Sequence, residues 1–141
     1  NNPNLISLRC GSNQLPNLDL SQNIMLQYFI SDYGALEQLD VSLNPNLKQL
    51  SCRGNQLESL NVKNGNNTNF QYFNALENPN LTCIEVDDPQ YSETNWPDVD
   101  PQVVFSEDCN PLGVIEEESE NIRIYPNPFR DQLFMEAEQS L

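Results

Sequence analysis

Leu5-Ile6-Ser7-Leu8-Arg9-Cys10 returns as Leu26-Gln27-Tyr28-Phe29-Ile30-Ser31 and again as Leu47-Lys48-Gln49-Leu50-Ser51-Cys52, each time after 21 residues. A fourth copy, Phe70-Gln71-Tyr72-Phe73-Asn74-Ala75, follows after 23. The two extra residues fit in Asn64-Gly65-Asn66-Asn67, a loop-forming stretch. A second pattern is nested in the first. Leu18-Asp19-Leu20, Leu39-Asp40-Val41, Leu60-Asn61-Val62 and Ile84-Glu85-Val86 recur at steps of 21, 21 and 24. Self-similarity at a short fixed period is the signature of stacked coils. Alternate residues of a strand point to opposite faces, so each L-x-L turns its apolar pair inward and its middle residue outward. Coils about 4.8 Å apart then place Leu8, Phe29, Leu50 and Phe73 in one column. Leu18, Leu39, Leu60 and Ile84 form another. One coil alone buries too little; three or more share a continuous core.

Composition agrees. The 141 residues include 21 Asn and 18 Leu, and 15 of those Leu lie before residue 83. Asn13, Asn55 and Asn78 recur where the chain must turn, as do Asn23 and Asn44 in the other half of each unit. An Asn amide offers two donors and an acceptor, which suits it to backbone groups left free at a bend. Gly34 and Gly65 interrupt the two Asn series, and looser coils are expected there. The net charge is −15 with no His, and it is unevenly divided. Residues 1–82 hold 6 acids and 4 bases, whereas residues 83–141 hold 15 acids and 2 bases. That balance argues against a nucleic-acid partner, which needs clustered Lys and Arg. No run of about 18 apolar residues offers a transmembrane segment. The lack of His excludes a His-based triad and a His-ligated zinc within this chain. No C-x-x-C pair favours zinc either, and no cofactor or metal is expected.

The unit L-x-x-L-x-C-x-x-N-x-L-x-x-L-D-L-x-x-N resembles the leucine-rich repeat family, in a short 21-residue bacterial class, over roughly residues 3–87. The resemblance implies a mainly β solenoid of about four coils over residues 1–87, with a ladder of inward Asn side chains. The segment Asn78–Cys109 resembles the terminal cap of such repeats, giving a C-terminal cap over residues 88–110. A cap is needed because a bare last coil exposes apolar side chains and strand edges. Tyr91, Trp96, Val99, Val103, Val104 and Phe105 are available to form it.

Four cysteines allow three pairings. Cys10 and Cys52 share a repeat position two coils apart, about 10 Å, beyond the roughly 7 Å reach of a disulfide. They read as small core residues. A bridge between Cys83 and Cys109 would tie down the closing segment, and it would place the protein outside the cytoplasm.

Two faces could carry function. Beside the first strand column, the outward positions are Ser7 and Arg9, Tyr28 and Ile30, Gln49 and Ser51, Tyr72 and Asn74. With Asp32, Arg53 and Leu76 this face mixes aromatic, aliphatic and charged groups, as recognition surfaces do. Arg9, Tyr28, Ile30, Gln49, Arg53 and Tyr72 are the candidate contacts for a protein or glycan. A solvated sheet with scattered aromatics is the plainer alternative. The other column exposes Asp19, Asp40, Asn61 and Glu85. Stacked carboxylates could hold a calcium ion, or each could bond its own backbone, which the ordinary L-D-L pattern favours.

Beyond the cap, Glu116-Glu117-Glu118-Ser119-Glu120 marks residues 111–120 as an acidic linker. Alternation at Ile122 and Ile124, the Pro126-Asn127-Pro128 turn and a second alternating run predict a short β-hairpin over residues 121–141. Tyr125-Pro126-Asn127-Pro128-Phe129 resembles the start of the type A C-terminal sorting domain of type IX secretion. That family's domain is a small β-sandwich of which this stretch is only the beginning, since two strands do not stand alone. The resemblance implies a secreted or outer-membrane cell-surface protein, with a type IX translocon or sorting-signal receptor as partner and Tyr125–Phe129 as the sorting signal. As the chain opens inside a repeat, further repeats are expected upstream. The expected function is a non-catalytic interaction or adhesion module. The alternative is a spacer or accessory region of a secreted glycan-active enzyme.

Overall fold

Each strand among the described residues is only three residues long, and the architecture follows from how those short strands stack. The structure, a computed structural model, describes residues 2–110. The expected acidic linker and the hairpin with Tyr125, Pro126, Asn127, Pro128 and Phe129 lie outside the described residues.

Among the described residues eight strands appear in chain order: β1 (Ser7–Arg9), β2 (Tyr28–Ile30), β3 (Gln38–Asp40), β4 (Gln49–Ser51), β5 (Ser59–Asn61), β6 (Tyr72–Asn74), β7 (Cys83–Glu85) and β8 (Val104–Ser106). A short 3-10 turn spans Asn67–Asn69, and a helix, α1, spans Pro89–Asn95. The strands form two parallel four-stranded sheets, β1-β2-β4-β6 and β3-β5-β7-β8. The chain therefore alternates between two walls as it winds, a mainly β solenoid of stacked parallel coils with about five turns.

The repeat phase sets the register. Leu8 pairs with Phe29, Phe29 with Leu50, and Leu50 with Phe73. On the other wall Leu39 pairs with Leu60, Leu60 with Ile84, and Ile84 with Phe105. The first expected column is thus present. The second is shifted by one coil, because Leu18–Leu20 forms no strand while Val104–Ser106 adds a rung. That extra rung is the fifth turn, one more than the four aligned units.

Phe29, Leu50, Leu60, Ile84 and their neighbours Leu26, Leu47, Leu57 and Leu81 are almost wholly buried in one continuous cluster. Leu5, Leu8 and Leu18 of the first coil are only partly buried, since nothing stacks on their outer side among the described residues. Cys52 is buried, whereas Cys10 on that first coil is half-exposed.

Asn side chains close the turns. The Asn55 amide donates to Ser31 O at 2.7 Å and Cys52 O at 2.9 Å, and its Oδ1 accepts from Leu36 N at 3.0 Å. Asn78 repeats this with Cys52 O, Ala75 O and Leu57 N. Each Asn thus serves its own coil and the one before. The expectation of a looser coil at Gly34 is wrong for that reason. Asn55 reaches back across the gap, and a Cβ at Gly34 would stand 3.0 Å from both Asn55 Oδ1 and Asn13 O. In the other turn Asn44 donates to Leu20 O and Asn23 O. At the next coil Asn64, one residue before Gly65, continues this ladder by donating to Asn44 O at 2.9 Å, and Asn67 donates to Val62 O at 2.8 Å within its own coil. That turn, too, is tightly bonded.

The end of the stack is closed by three devices. Trp96 stacks on Phe73 with ring centroids 4.2 Å apart and meets Phe105 edge-on at 6.0 Å. Val99, Val103 and Phe105 pack against the core beside it. Val104 points outward instead and is exposed, because it alternates with the inward Phe105. Cys83 and Cys109 form the expected disulfide, with Cα atoms 5.8 Å apart. Finally, two carboxylates occupy the places that further coils would fill. Asp100 accepts from Glu77 N and Asn78 N, and Asp87 from Gly65 N and Asn67 N.

Candidate functional site

Parallel register turns a 21-residue spacing into side-chain rows across the first sheet. Ser7, Tyr28, Gln49 and Tyr72 are register partners and form one row. Arg9, Ile30, Ser51 and Asn74 form the next. Of the candidate contacts, the structure brings Tyr28, Gln49 and Tyr72 side by side, with Arg9 and Ile30 beside them on the first two coils. Tyr72 and Arg9 are exposed, and Tyr28, Ile30 and Gln49 are half-buried.

The second row does not stay at the surface. Ser51 and Asn74 are buried, contrary to the outward placement expected of them. Ser51 Oγ donates to Asp32 Oδ1 at 2.7 Å, and Asn74 Nδ2 donates to the Tyr72 hydroxyl at 3.1 Å. Neighbouring side chains fold over these small polar groups, and the row sinks toward the closed end.

Arg53 stands beside the sheet, on the turn that follows β4. Its guanidinium donates to Glu77 at 2.8 Å and lies 5.7 Å from the centre of the Tyr33 ring. The Glu77 carboxyl is held below its ordinary value chiefly by that hydrogen bond, and Arg53 is correspondingly raised. Asp32 completes the group by accepting from the backbone N–H of Arg53 at 3.0 Å.

Tyr33 was not among the sequence candidates. It belongs to a series invisible to periodicity alone: Ser12, Tyr33, Gly54 and Glu77 occupy the same turn of successive coils, and all four have positive φ. Only Gly adopts that region without steric cost. Gly54 also yields room, since a Cβ there would lie 2.5 Å from the Tyr33 ring. Tyr33 thus lies over the next coil, exposed, next to Arg53. The Asx-like spacing of turn residues was the available signal, but it named the bend rather than the aromatic.

In the acidic row of the other wall the first three members bond the backbone two residues on, and Glu85 bonds the closing segment. Asp19 accepts from Ser21 N at 2.9 Å, Asp40 from Ser42 N at 2.8 Å, Asn61 from Lys63 N at 2.9 Å, and Glu85 from Cys109 N at 3.2 Å. Hydrogen bonds from Ser21 lower the Asp19 pKa. Among the described residues no group of three or more His, Cys, Asp or Glu side chains is placed to hold a metal ion. Nor, among them, is any helix long and apolar enough to cross a membrane.

The arrangement is suited to recognition: a broad, gently polar face with two phenols, an amide and an Arg held in fixed register. The chain matches no family model, no curated protein and no solved structure.

Proposed function

We propose that the protein is a secreted or cell-surface leucine-rich repeat module that binds a protein or glycan through the face of its first sheet. The observation that carries this is the register row Tyr28-Gln49-Tyr72. Parallel pairing presents aromatic and amide groups at a fixed backbone spacing, and the Tyr72 hydroxyl is further held by the Asn74 amide, which lowers the ordering cost of binding there. Tyr and Arg are also the residues most enriched at binding hot spots. The Cys83–Cys109 disulfide supports an extracytoplasmic location, because such bonds persist in oxidising compartments. The resemblance of Tyr125–Phe129 to the start of a type A sorting domain supports export as type IX cargo. The acidic row, whose members each accept from a backbone N–H, favours a non-catalytic role over that of a glycosidase, which needs opposed carboxylates.

The test is retention of the chain on arrays of surface proteins and oligosaccharides. Substituting both Tyr28 and Gln49 with Ala should lower retention at least tenfold without lowering the melting temperature much. Unchanged retention would refute the face. For export, recovery of secretion components with and without residues 121–141 decides; equal recovery refutes the sorting role.

A further inference from the structure

A cleft of about 170 Å³ opens where the last rung of the first sheet meets the segment after α1. Phe70, Gln71 and Tyr72 form one side, and Asn95, Trp96 and Asp98 the other. Its floor is aromatic and fixed. Trp96, 4 % exposed, is held by the stack on Phe73 and lies 5.2 Å from the half-buried Phe70 ring, so the open aromatic surface is that of Phe70 and of Tyr72, which is 44 % exposed. Its rim is polar, and the segment after α1 that carries part of it is anchored. The Asp98 carbonyl accepts from Ala75 N at 2.9 Å, and the Asn95 amide donates to Tyr91 O at 2.8 Å. Around the opening stand two exposed side-chain amides, a phenol and a half-buried carboxylate.

That chemistry selects a ligand class. No Lys or Arg lines the cleft, and the chain carries a net charge of −15, so anions are repelled. A purely apolar guest would use none of the polar groups on the rim. A neutral sugar satisfies both parts, with C–H groups against aromatic carbon and neighbouring hydroxyls shared between carboxylate and amide. The volume is well below the roughly 300–1,000 Å³ of pockets for larger ligands, which limits the guest to about one ring. We infer that this cleft is a subsite for a single neutral pyranose unit of a glycan laid along the first sheet. Tyr72 belongs to both cleft and face, so the inference rests on the binding-module reading and supplies its ligand class.

Trp96 is the chain's single Trp, which makes its emission a reporter located in the cleft. The full chain is titrated with mannotriose, cellotriose and chitotriose, and with trigalacturonate as the acidic counterpart. A saturable change is expected with at least one neutral sugar, and none with trigalacturonate at equal concentration. Gln71→Ala and Asp98→Ala should each weaken that binding fivefold or more, with circular dichroism confirming the fold. Gln71 is exposed, so its substitution tests the cleft even if Asp98→Ala misfolds. If sugar binding survives both changes but is lost on substituting Tyr28 and Gln49, the cleft is refuted and the face retained. Equal binding of trigalacturonate, or no response to any neutral sugar while the face still captures a protein, also refutes the cleft alone. Loss of every ligand class from the unmodified chain overturns both.

Discussion

The Asn55 amide donates to the carbonyl of Ser31, 24 residues earlier and one coil away, at 2.7 Å. With the bond from Leu36 N to Asn55 Oδ1, one side chain satisfies backbone groups that no strand reaches. Replacing Asn55 with Ala leaves those groups buried and unpaired, at about 1–3 kcal/mol each. We expect Asn55→Ala to destabilise by about 3 kcal/mol in urea unfolding. A loss under about 1 kcal/mol would contradict this account of the turns.

Gly54 combines φ of +70° with a Tyr33 ring against its missing Cβ. Gly54→Ala should cost about 1–2 kcal/mol from the backbone conformation, and more from the clash. In a Tyr33→Ala background only the backbone part should remain. A double-mutant cycle in thermal melts measures the difference; strict additivity would mean the ring moves aside freely.

Cys52 and Cys10 share a repeat position but differ in burial. Burial, with Asp32 nearby, pushes the Cys52 thiol far above its ordinary value, so it carries almost no thiolate. Iodoacetamide at about pH 8 should label Cys10 in the folded protein and Cys52 only after denaturation. Mass spectrometry reads the stoichiometry, and early labelling at Cys52 would contradict its burial.

The Arg53–Glu77 pair predicts a pH dependence. Arg53 lowers the Glu77 pKa below 4.5 in the folded state. The stabilisation is therefore present above about pH 4.5 and is lost as pH falls through the lowered folded value. The pair is exposed, so the effect is small and shrinks in about 1 M salt. The melting-temperature gap between the parent chain and Glu77→Gln should be present at neutral pH and close in acid. A gap that persists once acid has protonated Glu77 in the folded state would assign the effect to packing.

Reducing the Cys83–Cys109 bond removes a 26-residue link and should cost about 3 kcal/mol. Because β8 and Trp96 close the same end, Trp96 emission should shift to longer wavelength before the rest of the stack unfolds. A single concerted transition in both circular dichroism and emission would show that closure and core melt together.

The repeat phase made Leu8, Phe29, Leu50 and Phe73 readable as a column, because identical spacing and parallel register are the same fact seen twice. Cys83 with Cys109 was legible as a bridge that would tie down the closing segment. What escaped notice depends on contacts between coils rather than on period. Asp87 and Asp100 look like any surface acids, yet each takes two amides of the last full turn. Ser51 and Asn74 sit at outward positions but are covered by Asp32 and Tyr72. Gly34 looked like a gap and is a close approach. Tyr33 gains its place from a left-handed turn that no hydrophobic pattern encodes.

The asparagine bonds run one way, each coil reaching back to its predecessor, and the two aspartates seal the far side. Duplication of a whole unit between existing coils would therefore preserve every join, because the newcomer offers the same hooks backward and the same sockets forward. Growth beyond Asp87 and Asp100 would instead require dismantling the seal, so length in this architecture can evolve from the interior while its terminus stays unaltered.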